Sequence, residues 1–133
     1  SWECVLNKRP AFREAFEGFY PEQVAGFDEE KQARLAQNAA IIRNRRKIKA
    51  AVKNAAVFLD IHKEWGSFDA WPWHWLGGKP VLEYGPAFSP LSDEVSEDLK
   101  RRGMSFVGTT VVYAYLQAAG IINGHEPGCF LAP

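Results

Sequence analysis

Cysteine is scarce in this 133-residue chain: only Cys4 and Cys129 are present, near opposite ends. Two thiols exclude a disulfide framework and fit a reducing compartment. Long hydrophobic runs are also missing. No apolar stretch approaches the roughly 20 residues needed to cross a bilayer, and Ser1-Trp2-Glu3 has neither the basic flank nor the apolar stretch of a signal peptide. We therefore expect a soluble, cytoplasmic protein with no membrane partner. Strand-like alternation is absent over any useful length, as are internal repeats and low-complexity tracts. Methionine does not stand at position 1, from which we expect a chain processed or split from a longer one.

Acids are missing from one long segment. Net formal charge is zero, with 16 basic and 16 acidic residues, yet no acid lies between Lys31 and Leu59. That segment carries eight of the basic residues: Lys31, Arg34, Arg43, Arg45, Arg46, Lys47, Lys49 and Lys53. A neutral total argues against a uniformly basic nucleic-acid binder. The local excess nevertheless supplies cations not paired within their own segment, as binding to a phosphate backbone requires. Charge on a helix is more often just a solvated face, so contact with DNA or RNA through Arg43, Arg45 and Arg46 is open at this point.

What is present reads as helix, and a hydrophobic fraction of 47% is enough for a single domain with its own core. Trp2, Val5, Leu6, Phe12 and Phe16 recur at near-helical spacing, with Pro10 dividing the stretch. Asp28 is the expected N-cap of a short helix with Glu29 and Glu30 in its first turn. Ile41, Ile48, Val52, Ala55 and Leu59 fall within a narrow arc at about 100° per residue, with Arg43, Arg46 and Lys53 opposite. Ser67 or Asp69 starts an aromatic helix through Trp71, Trp73 and Trp75, ended by Gly77-Gly78; these rings are expected in a core or its rim. Lys79 to Pro90 reads as a loop. Ser92 is expected to cap a helix through Leu99 that stops at Gly103, and Gly108 precedes a second helix with the apolar run Val111 to Ala119. The fold expected is all-α.

Three features suggest chemistry. The hairpin between Gly103 and Gly108 suits phosphate binding, because glycine lets backbone approach a ligand and the next helix, opening at Thr109, offers unpaired N–H groups. The same glycines equally describe an ordinary helix connection. His125 and Cys129 lie in His-Glu-Pro-Gly-Cys, a turn able to bring an imidazole and a thiolate round one ion at zinc-ligand distances. A structural zinc site wants four ligands, and His62, His74 and Cys4 have no spacing that completes one. His62 reads as a surface residue near a helix C-terminus and Cys4 as a small buried hydrophobe.

Taken together, several segments resemble the 3-methyladenine DNA glycosylase I family, of the helix-hairpin-helix DNA glycosylase superfamily. They are Ser1-Trp2-Glu3 with Val5-Leu6-Asn7-Lys8-Arg9, Ile41-Ile42-Arg43-Asn44-Arg45 with Lys47-Ile48, Ser67-Phe68-Asp69 running to Trp73, and Leu99 to Cys129. Within the last, Arg102-Gly103, Phe106-Val107-Gly108-Thr109-Thr110 and Asn123-Gly124-His125 match best. The resemblance implies a helix-hairpin-helix at about 92–119, a zinc-binding tail at about 123–130, and a bacterial enzyme acting on alkylated double-stranded DNA. The implied reaction is hydrolysis of the bond between deoxyribose and 3-methyladenine after the nucleotide is flipped out. Trp2 would stack on the lesion, and His125 and Cys129 would be two of four ligands of a structural zinc. The family's base-recognising glutamate precedes the position of Trp2, and a tyrosine and the other Cys and His ligands lie earlier still. No catalytic residue is therefore expected in this chain, and Glu3 and Glu126 do not take that role. We expect the N-terminal segment to be absent from the chain and the protein to be a monomer. A non-catalytic DNA-binding helical module and a zinc-stabilised structural domain are the competing readings.

Overall fold

The computed structural model describes residues 1–132 and is mainly helical. Its contacts divide it into two compact units, Ser1–Asp60 and a second beginning at Ile61.

In the first unit, α1 (Trp2–Asn7) starts where the Ser1 hydroxyl accepts from the Cys4 N–H at 3.2 Å. Lys8 leads into α2 (Arg9–Ala15), whose first turn holds Pro10, where no backbone donor is needed. A 3₁₀ turn at Glu17–Phe19 precedes α3 (Pro21–Ala25) and α4 (Glu29–Leu35). Asp28 caps α4 as expected, its carboxylate accepting from the Lys31 N–H at 2.7 Å. Phe16, Val24, Phe27, Leu35, Ile41 and Ile48 form the core of this unit.

The long helix α5 (Arg45–Trp65) follows a turn in which the Asn44 side-chain oxygen accepts from the Lys47 N–H at 3.1 Å. Ile41 thus reaches the core from outside the helix, and the apolar arc begins at Ile48 rather than Ile41. One expectation is corrected in α1: Cys4 is exposed rather than buried. Trp2, Val5 and Leu6 lie on a helix, as their spacing implied, and are exposed. Periodicity reports which side of a helix is apolar, not whether another element covers it; α1 buries none of its residues.

In the second unit, the Ser67 hydroxyl accepts from the Ala70 N–H at 2.9 Å and opens α6 (Ala70–Trp73). Trp71 is fully buried and Trp73 and Trp75 partly so, while Gly77 and Gly78 take positive φ and end the segment. The following elements are β1 (Val81–Leu82), α7 (Pro90–Arg102), α8 (Thr109–Ala118) and β2 (Ile122–Asn123). The two strands pair in parallel, Val81 opposite Ile122 and Leu82 opposite Asn123. The stretch from Lys79 to Pro90 is therefore not all loop. Two residues are too few to show an alternating pattern.

The start of α7 is also corrected. Ser89 is the N-cap and Pro90 the first helical residue, while Ser92 sits a turn inside and accepts from the Ser89 N–H at 2.8 Å. The helix runs past Leu99 to Arg102. Val95, Leu99, Val112 and Leu116 pack α7 and α8 face to face around a buried seam. Among the described residues, no helix is long and apolar enough to cross a membrane.

Candidate functional site

The connection from α7 to α8 is built differently at its two glycines. Gly103 has φ 108° and the Met104 N–H reaches back to the Leu99 carbonyl at 2.9 Å, a wrap that a side chain at 103 would strain. Gly108 has an ordinary φ of −62°, and a Cβ placed there would meet nothing within 4 Å. Neither backbone conformation nor internal packing calls for glycine at 108. Gly108 is the N-cap of α8, where glycine is commonly found, and it leaves the start of that helix open to close approach. The Val112 N–H bonds the Gly108 carbonyl at 3.0 Å, the first turn of α8. The N–H groups of Thr109, Thr110 and Val111 precede that bond, have no partner within the helix and point outward from its positive end.

The last turn of α7 is held by a charged network that sequence reasoning did not single out. Asp98 is buried and accepts from the Trp71 indole N–H at 3.1 Å, from the Arg102 Nε at 2.9 Å and from Arg101. Arg102 in turn makes a two-point contact with Glu64 at 2.6 and 3.2 Å. Burial pushes the Asp98 carboxyl up, but the bonds from Arg101, Arg102 and Trp71 outweigh it and hold the acid below the ordinary aspartate value. The Arg102 bond likewise holds Glu64 below the ordinary glutamate value, and Arg102 itself is raised further above its own. The spacings of three and four from Asp98 to Arg101 and Arg102 were visible in sequence; the burial was not.

The basic segment separates into paired and unpaired members. Lys31 bonds Glu17 at 2.8 Å and Arg34 reaches Glu30 at 3.4 Å, acids lying just outside the acid-free stretch. Arg43, Arg45 and Arg46 are exposed and make no ion pair among the described residues. Arg45 and Arg46 open α5, whose first turn holds no acid. Cations there oppose the helix dipole, so the local potential is strongly positive.

Trp2 opens α1 with its indole 82% exposed. Val5, one turn later and on the same side of α1, lines an apolar cleft of about 260 Å³ with Phe12, Phe16, Phe19, Ile42 and Ile48. Of the cleft residues, sequence reading placed Ile48 on a core face and Val5, Phe12 and Phe16 at helical spacing, and it did not single out Phe19.

At the other end of the chain, β2 delivers the tail. The His125 N–H bonds the Asn123 side chain at 3.0 Å, Gly128 turns the chain with φ 95°, and the Cys129 Sγ comes to 3.7 Å from the His125 Nδ1. A tetrahedral zinc with N and S ligands at about 2.0 and 2.3 Å sets those donors about 3.5 Å apart. The pair therefore fits two corners of such a site. Among the described residues, no third His, Cys, Asp or Glu joins them.

The methyladenine glycosylase family model matches residues 1–132. The chain belongs to the methyladenine glycosylase family. It is 39% identical to DNA-3-methyladenine glycosylase 1 of Escherichia coli strain K12, over all of this chain and 74% of that protein. With DNA-3-methyladenine glycosylase of Haemophilus influenzae it shares 35% identity, over 97% of this chain and 73% of the relative. A solved structure of 3-methyladenine DNA glycosylase I, a tyrosine-to-phenylalanine variant in complex with 3-methyladenine, superposes with a TM-score of 0.90 at 33% identity, covering all of this chain and 75% of that one. The architecture is thus that of the family.

Proposed function

We propose that this chain is the greater part of a monofunctional DNA N-glycosylase of base-excision repair, which releases 3-methyladenine from alkylated DNA and leaves an abasic site. The observation that carries the reading is the family match over residues 1–132. The chemistry agrees with it. Methylation at N3 makes the base cationic, so an indole face attracts it beyond neutral adenine by about 0.5–2 kcal/mol. A cationic base is also a good leaving group. Catalysis then rests on holding the flipped nucleotide, stabilising charge on the sugar and admitting water.

In this reading Trp2 stacks on the extruded base. Gly103, Gly108 and Thr109 belong to a helix-hairpin-helix that holds one strand by its phosphates, and Arg43, Arg45 and Arg46 add charge to the backbone contact. His125 and Cys129 would hold a structural zinc, which supplies a cross-link fastening the tail rather than any step of the reaction. A segment ahead of Ser1 would supply the base-recognising glutamate and the two remaining zinc ligands.

The test is release of 3-methyladenine from methylated duplex by the full protein. Activity is expected, with Trp2→Ala lowering kcat/KM about 10- to 100-fold, since stacking on an aromatic is worth about 1–3 kcal/mol per base, and Trp2→Phe retaining most of it. Salt-sensitive duplex binding with no base release would replace this reading by that of a non-catalytic DNA-binding module.

A further inference from the structure

Behind the hairpin lie two serines that no catalytic or binding role accounts for. Ser92 is 0% exposed and Ser96 is 1% exposed. Ser96 donates its hydroxyl proton to the Val107 carbonyl at 2.7 Å. Val107 follows Phe106, which stands at φ 61°, a left-handed conformation that a bulky residue adopts only when its surroundings impose it. The Ser96 bond fixes the peptide at the exit from that strained residue, immediately ahead of Gly108.

Ser92 fixes the next position. Its hydroxyl has one proton and two lone pairs. The proton goes to the Ser89 carbonyl at 2.9 Å and one lone pair accepts from the Ser89 N–H at 2.8 Å. The remaining partner is the Thr109 hydroxyl at 2.7 Å, so Thr109 must be the donor in that bond. Its proton is therefore turned inward, away from any phosphate. The exposed Thr110 hydroxyl and the N–H groups at the start of α8 are left to face a ligand.

We propose that Ser92 and Ser96 are positioning residues that aim the hairpin at the DNA strand, and that Thr109 acts through its bond to Ser92 and its backbone N–H, not by a hydroxyl contact with phosphate. This rests on the reading of the hairpin as the strand-holding element. Side chains at these sites form hydrogen bonds that an ordinary apolar helix pair does not need, and they hold Val107 and Thr109, the two neighbours of Gly108.

The experiment measures duplex affinity of the full protein across a salt series, with thermal unfolding of every variant. Ser96→Ala should weaken binding about five- to tenfold at every salt concentration and leave the slope of log affinity against log salt nearly unchanged, because the N–H groups it aims carry no charge to neutralise a phosphate. In base release the effect should fall on KM rather than kcat. Ser92→Ala and Thr109→Val should each weaken binding a few-fold, and the double variant no more than Ser92→Ala alone, because the bond that Thr109→Val removes is already lost there. Ser96→Ala with unchanged affinity, or Ser92→Ala and Thr109→Val effects that multiply, would overturn the assignment. Should Ser96→Ala unfold at the assay temperature, the Ser92–Thr109 cycle decides by itself. Gly108→Asp distinguishes a failure of the hairpin from a failure of the serines. It fits sterically and sets a carboxylate where the phosphate would lie. Undiminished binding by Gly108→Asp removes the hairpin reading itself; binding abolished in Gly108→Asp but intact in Ser96→Ala removes only the role of the serines.

Discussion

Two helix ends in this protein are rich in arginine, and they treat it in opposite ways. The last turn of α7 carries Lys100, Arg101 and Arg102 at the negative end of the helix, where cations are favoured, and the two arginines are tied to Asp98 and Glu64. The first turn of α5 carries Arg45 and Arg46 at the positive end, with no acid beside them. The first arrangement lowers the energy of the folded chain. The second raises it, because the charges sit at the end of the helix that is already positive. Identical side chains thus stabilise the fold in one place and oppose a helix dipole in the other, and the difference lies in what surrounds them rather than in how many there are.

The comparison can be broken most forcefully at Asp98. Asp98→Ala leaves the Trp71 indole N–H without its acceptor and Arg102 with only Glu64. A loss of about 2–3 kcal/mol is expected, below the value for a fully buried pair because Arg101 is largely exposed. Calorimetry should show a Tm lower by roughly 6–10 °C. A shift under about 2 °C would mean the network adds little to stability.

A smaller effect is expected with pH. Asp98 and Glu64 both have folded-state values below their ordinary ones. Their contribution is therefore complete above the ordinary carboxylate range and is lost as pH falls through it towards the depressed folded values. Unfolding followed from neutral pH into strong acid should show an acid-side loss of stability that is shallower in Asp98→Asn. Parallel curves for the two proteins would count against this origin.

The smallest change in stability is expected at α5. Arg45→Gln and Arg46→Gln should leave the protein as stable as before or improve it by about 0.3–1 kcal/mol, by removing charge from the positive helix end. Both should nonetheless weaken duplex binding and reduce its salt slope by about 0.9 for each phosphate that is no longer neutralised. Equal losses of stability at α5 and α7 would erase the distinction drawn between them.

Sequence pattern reached some of these features and not others, for physical reasons. The Asp28 cap, the apolar arc of α5 from Ile48 onward and the glycine stop at 103 are local, set by residues within a turn of one another, and each was legible. The adjacency of His125 and Cys129 was legible too, because a Pro-Gly turn joins them. The β1–β2 pairing was not, since two residues carry no alternation and their partners are remote in sequence. Pro90 was read with the preceding loop, whereas it is the first helical residue of α7, where a missing N–H costs nothing. The buried roles of Ser92, Ser96 and Asp98 needed the packed helices, because small polar residues on a helix look solvent-facing until their neighbours are known. In α1 the spacing announced the helix but not its exposure, and Cys4, read as a small buried residue, lies on the surface because α1 buries none of its residues.

The parallel pair of Val81–Leu82 with Ile122–Asn123 has a consequence in time as well as in space. It joins residues about forty positions apart, and closing so long a loop is unfavourable until the intervening chain is compact. Helices α7 and α8, joined by six residues, can meet early through local contacts, whereas the strand pair must wait for them. The tail beyond Asn123 inherits that delay. His125 and Cys129 should become ordered among the last parts of the second unit, so whatever they bind is captured by a nearly finished fold rather than guiding its assembly.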